Sequence, residues 1–141
     1  MVLKSFILII ITSILTNSLA GLLYVWSLFI IPIESFLDLN RTDLGLISSF
    51  SLISFTFGVS IFPLILLKIG KFYVSILAFI LISFGHFLFG IYPSWSSLFI
   101  GYGIGFGIGS GLAYGSALYL TSSLEKKVRA ISIGVALGAF A

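Results

Sequence analysis

Gly101-Tyr102-Gly103-Ile104-Gly105-Phe106-Gly107-Ile108-Gly109-Ser110-Gly111 sets six glycines at alternate positions within an apolar run that continues to Leu120. Alternation is the habit of a strand, yet the run from Leu98 to Leu120 is long enough to cross a bilayer as a helix, which takes ~20 residues. In a helix, alternate residues lie about 200° apart, so the glycines divide between two roughly opposite faces. Gly101, Gly105 and Gly109 form one strip; Gly103, Gly107, Gly111 and Gly115 form the other. Each strip has the small-xxx-small spacing that lets membrane helices approach closely. A helix smooth on both sides is expected to pack between neighbours and to slide against them.

The rest of the composition agrees with a membrane setting. The chain is 60% hydrophobic and 8% charged, against roughly 25% charged for a soluble domain. It has no cysteine, one histidine and four carboxylates, which excludes disulfides and thiolate sites and leaves too few ligands for a metal. The net charge of +3 does not point to nucleic acid, because the basic residues lie between apolar runs and form no basic patch. The apolar stretch after Lys4 is too long for the ~7–15-residue core of a cleavable signal peptide. The lipid bilayer is therefore the first expected partner.

Breaks in the apolar pattern predict an all-α protein with four complete spans, over about residues 5–31 (ending before Pro32), 44–67, 72–91 and 98–120. A fifth begins near Ala130 and reaches only Ala141. Twelve helical residues rise ~18 Å, short of the ~30 Å hydrocarbon core, so the chain reads as cut within its fifth span; a terminus tucked at the interface is the alternative. With the N-terminus cytoplasmic, Lys4, Lys68, Lys71, Lys126, Lys127 and Arg129 all fall inside, and only Arg41 falls outside. That asymmetry fits the preference for basic residues on the cytoplasmic side. Tyr92 and Trp95 suit the outer interface, Asn40 and Thr42 are both suited to cap the second span, and the tight turn around Gly70 makes spans two and three antiparallel neighbours.

Candidate functional residues are polar groups inside spans. Ser13, Asn17, Gly21, Tyr24 and Leu28 share one face of a continuous helix. Asn17, near mid-membrane, needs a partner: either a solute in a cavity or a neighbouring helix. Tyr24 is read as facing the cavity. On span four, Tyr102, Phe106 and Ser110 recur at four-residue intervals, with Tyr114 one turn further, and either line a cavity or pack. The serines of span two, Ser48 among them, read mainly as packing groups. His86 is the one ionisable group within a span; a proton relay and a neutral hydrogen-bonded imidazole are the two readings. No catalytic triad, metal cluster or phosphate loop is present, and the glycine run lacks the strand–turn–helix context of a dinucleotide site. The sequence predicts neither an enzyme nor a cofactor.

The order of features resembles the N-terminal part of a major facilitator superfamily transporter. The second-to-third loop of that family reads Gly-x-Leu-x-Asp-Arg-x-Gly-Arg-Lys; aligned on Gly70, Pro63, Ile65, Leu67, Lys68, Gly70 and Lys71 stand at the first Gly, Leu, Asp, Arg, second Gly and first Arg, with Phe72 at the final basic position. Basic Lys68 and Lys71 and the glycine persist, while Leu67 replaces the acid of the family's conformational latch. Gly21-Leu-Leu-Tyr24-Val-Trp26-Ser27-Leu-Phe29, the glycine-rich fourth span with Tyr114, and the small residues after Arg129 resemble the oxalate/formate antiporter and monocarboxylate transporter branch. The resemblance implies a multi-pass protein of a plasma or inner membrane, with two six-helix halves around a central cavity. It implies a small carboxylate as solute, enclosed partly by aromatic residues of this half and anchored by cations of the missing C-terminal half. A transporter of another small solute, such as a sugar or drug, and a small helical membrane protein without transport are the alternatives.

Overall fold

The structure, a computed structural model, describes residues 2–140, with side chains from Phe6 onward; the Lys4 side chain and Ala141 lie outside the described residues. Among them no strand occurs. The elements are α1 (Val2–Ala20), a 3-10 turn (Gly21–Leu23), α2 (Trp26–Leu37), α3 (Arg41–Ile91), α4 (Trp95–Leu98), a π-helical stretch (Phe99–Phe106), α5 (Gly107–Ser122) and α6 (Lys126–Gly138). Three helical stretches are long and apolar enough to cross a membrane: Phe6–Leu23, Arg41–Ile91 and Trp95–Ser122.

α3 is two arms, 41–69 and 71–91, meeting at Gly70. Asn40 caps the first arm, accepting a hydrogen bond from the Asp43 amide at 2.9 Å. Gly70 has φ 79° and ψ 164°, a region open essentially to glycine alone. One residue therefore reverses the chain. No atom stands within 4 Å of a Cβ built there, so replacement strains the backbone and nothing else. Gly70→Ala should lower stability by about 1–3 kcal/mol, whereas Gly45→Ala, with equally open surroundings and helical backbone, should hold or slightly raise it. Thermal unfolding in detergent micelles measures both; equal midpoints would show that Gly70 carries no conformational demand.

The stretch 95–122 runs between the arms of α3. A Cβ on Gly103 would approach Ile47 and Phe50, on Gly107 Ser51 and Ser54, and on Gly115 Phe62, all on the first arm in increasing order. On Gly101 it would meet Gly85, on Gly105 Phe84 and Leu81, and on Gly109 Ile82 and Ala78, on the second arm in decreasing order. The fourth stretch is thus parallel to one arm and antiparallel to the other, with a glycine strip against each. Gly58 and Gly111 mark the closest approach: a Cβ on Gly58 would come within 2.5 Å of the Ile108 carbonyl oxygen. The core around this wedge includes Leu44, Ile47, Val74, Phe106 and Leu112, all essentially inaccessible.

Two local features depart from the sequence expectation. The expected single helix over 5–31 is broken at 21–25, where Tyr24 N–H donates to Gly21 O (2.9 Å) and Val25 N–H to Leu22 O (3.2 Å), a tighter pattern than an α-helix. The helix then passes Pro32 and ends at Leu37, although the prediction stopped it before the proline. Proline removes one N–H and crowds the carbonyl four residues back, that of Leu28, yet the helix continues through it, and Ser35 beyond it donates to Ile31 O and Pro32 O at 3.0 and 3.1 Å. The second departure is the π-helical stretch Phe99–Phe106. Its i→i+5 pattern is rare, and Gly101, Gly103 and Gly105 admit it here because they present no side chain to the arms on either side.

Candidate functional site

The break at 21–25 organises the polar groups around it. Tyr102, from the π-helical stretch, reaches across and donates its hydroxyl to Leu22 O at 3.2 Å, with Leu23 O at 3.4 Å. Leu22 O, which already accepts the Val25 amide, takes the Tyr102 hydroxyl as a second donor, and this bond ties the π-helical stretch to the break. The Tyr102 ring is sandwiched between Trp26 (centroids 4.6 Å, 27°) and Phe106 (4.6 Å, 15°), and His86 meets Phe106 edge-on at 5.0 Å. The His86 Nδ1 lies 2.9 Å from Ile82 O, a contact in which Nδ1–H donates to the carbonyl.

The proposed face of the first span is divided by the same break. Ser13 and Asn17, on α1, are buried, whereas Tyr24 is 57% exposed and Leu28 72%. Asn17 donates through Nδ2 to Ala136 O of α6 at 2.6 Å, and four residues on, the Phe140 carbonyl fills the space a Cβ of Gly21 would need. α6 therefore lies parallel to α1 and closes over that face. Asn17 Oδ1, Ser13 Oγ and Ser110 Oγ are buried without a partner among the described residues. Phe106 and Ser110 are wholly buried, and Tyr102 nearly so. Of the six cavity candidates, Asn17, Tyr102, Phe106 and Ser110 are interior groups, Gly21 is a close contact with the end of the chain, and Tyr24 alone opens outward. A continuous helix would have put Asn17 and Tyr24 on one face; the lost turn rotates them apart.

Tyr24 borders a cleft of about 260 Å³ between the start of α2 and the first arm of α3, lined also by Leu23, Trp26, Ser27, Ile30, Ser48 and Leu52. Its other side packs edge-on against Phe140 (5.4 Å), which stacks on Phe55 (5.3 Å) and meets Tyr114 edge-on (5.1 Å). Phe55, Phe140 and the cleft positions Ser27 and Ser48 were not singled out from the sequence as site residues. Nothing local distinguishes the two phenylalanines from others in an apolar run, and Ser48 is one of six serines and threonines between residues 44 and 67. Trp26 stood only within a family-like motif. Lys68, Gly70 and Lys71 are exposed at the opposite end of the bundle, where the chain also turns between α5 and α6 and where Lys126, Lys127 and Arg129 lie. Arg41, paired with Glu34 at 3.4 Å, stands at the other end.

These features define an all-α bundle with helices long and apolar enough for a membrane and one open, polar-edged cleft beside a helix break. The sequence matches no known family model, and no curated protein matches it.

Proposed function

We propose that this chain is the N-terminal helical part of a major facilitator transporter that carries a small organic anion, a mono- or dicarboxylate, by alternating access. The observation that carries the reading is the break between α1 and α2, with Tyr24 exposed on it beside an open cleft. Interrupted helices next to the solute site are a recurring device of secondary transporters, and irregular backbone at membrane depth is tolerated only where protein or a cavity covers it. The exposed surface, rich in Leu8, Leu15, Ile53, Leu64 and Phe87, suits lipid contact. The separation of basic residues between the two ends supports a multi-pass arrangement with the N-terminus cytoplasmic, in a plasma or inner membrane. In this reading the glycine-lined fourth stretch gives the half a rigid centre, and the half rocks as a unit against a C-terminal counterpart that supplies the cationic anchor.

A second reading has its own support. The bond from Asn17 to Ala136 O is of the kind that joins membrane helices without any transport role, which favours a non-transporting bundle. Uptake decides between them. Vesicles containing the full protein are given labelled oxalate or acetate, and Tyr24→Phe and Tyr24→Ala are compared at equal protein. Loss of the phenol should weaken apparent affinity by about 0.5–1.5 kcal/mol, and more if the bond is charge-assisted; loss of the ring should cost further. Unchanged affinity in both variants would reduce Tyr24 to a space-filling group, saturable uptake of a sugar or drug in place of either anion would move the solute class, and no uptake of any of them would leave the non-transporting bundle.

A further inference from the structure

The cleft beside Tyr24 has a chemical character of its own, and we infer that Ser27, Ser48 and Trp26 form its carboxylate-recognising wall. This rests on the reading of the chain as a carrier of small organic anions and names the groups that select the solute. Three observations converge. Ser49, Thr56 and Ser60 on the same arm of α3 each donate to the carbonyl four residues back, at 2.8–3.0 Å, the cheap way to place a hydroxyl in a membrane helix; Ser48 lines the cleft instead. Ser27 faces it from α2, so two hydroxyls border one space from two different helices. Trp26 is only 5% exposed, lines the same cleft, and its indole Nε1–H is buried with no acceptor among the described residues.

An unpaired buried donor costs free energy that an incoming acceptor recovers. Indole N–H donates only, and serine hydroxyls donate or accept. A carboxylate, acceptor on both oxygens, matches the two hydroxyls that line the cleft and the indole N–H enclosed at its edge, which it reaches once the surrounding side chains give way, and none of the described residues lining the cleft is a carboxylate that would repel it. The stacking of Trp26 on Tyr102, itself tied to Leu22 O, holds the indole in place before the solute arrives. Preorganisation of that kind lowers the ordering cost of binding.

Indole fluorescence reads the site directly. In a Trp95→Phe background, Trp26 is the sole tryptophan, and its emission is titrated with oxalate and acetate, with glucose as neutral control, in detergent-solubilised protein. A saturable change is expected with the anions and none with glucose. Ser48→Ala and Ser27→Ala should each weaken the anion response about ten-fold, the scale of one hydrogen bond to a charged group, while Ser49→Ala, whose hydroxyl is spent on its own helix, should not. A saturable anion response that Ser27→Ala and Ser48→Ala leave unchanged overturns the wall assignment and spares the anion-carrier reading. So does carboxylate uptake by vesicles with no indole response. Absence of both uptake and response removes the anion-carrier reading, and the assignment with it.

Discussion

Gly111→Ala should prevent the protein from reaching its packed state, with a loss of ~3 kcal/mol or more. The added methyl would enter the Phe55 carbonyl and stand 2.7 Å from the Val59 nitrogen and 2.9 Å from Gly58 Cα. All three are backbone atoms, so no rotamer change relieves the overlap, and inserting one methylene into a close-packed interior already costs about 1–3 kcal/mol where side chains can move. Gly58→Ala should match it, since its methyl meets Ile108 O from the opposite side. Gly103→Ala, 3.6 Å from its nearest neighbour, should be mild. Gly134→Ala and Gly138→Ala, with nothing within 4 Å, should be neutral or slightly stabilising through helix propensity. Unfolding midpoints of purified variants in micelles give the ranking. A uniform response across the series would mean that the glycines act through chain flexibility, not through contact.

Phe106→Ala should be the most damaging side-chain truncation, at about 3–5 kcal/mol. The ring is fully buried, stacks on Tyr102 at 4.6 Å and receives the edge of His86 at 5.0 Å. Its removal leaves a hole among groups fixed by other bonds: Tyr102 stays tied to Leu22 O, and Gly85 and Gly101 are already in backbone contact, so the site cannot collapse. Phe106→Leu, which keeps much of the volume, should lose distinctly less. The cavity-lining alternative raised by the sequence predicts the reverse pattern. There, alanine would leave stability intact and alter solute handling alone. Unfolding midpoints set beside vesicle uptake separate the two, and a Phe106→Ala protein as stable as wild type would return the residue to a solute-facing surface.

How far the chain discloses itself depends on how local each cause is. The four-residue spacing of the glycines is written within one helix, so their division into two faces can be read from the chain, but nothing in that helix says which partners the faces meet. Gly70 is equally local: a lone glycine between two lysines and two apolar runs is enough to mark a reversal. The break at 21–25 is not. Its apolar run is uninterrupted, Pro32 is the stronger breaker by composition, and the side chain that bonds to its backbone, the Tyr102 hydroxyl, donates to Leu22 O from 80 residues away. The π-helical turn escapes for a related reason. Glycine permits it without requiring it, and the choice lies with the two arms of α3 that grip the stretch. Asn17 could be recognised as needing a partner, while its partner is a main-chain carbonyl of α6, which no side-chain pattern encodes. Sequence periodicity thus marks which faces are special, and tertiary contacts decide what each face is for.

The one-residue joint at Gly70 has a consequence for how the chain can fail. α3 comprises 51 residues, and if Gly70 adopted helical angles the two arms would become a single rod of ~77 Å. Free in solution, such straightening is the usual route by which a tight helical hairpin opens and exchanges arms with a second copy. For a chain inserted in a bilayer the route is closed, because the hydrocarbon core is only ~30 Å thick and the rod would drive one apolar arm out into water. The thickness of the membrane then enforces the reversal that the glycine merely allows. Strain introduced at position 70 would be held in the folded protein, with no straightened form to relieve it.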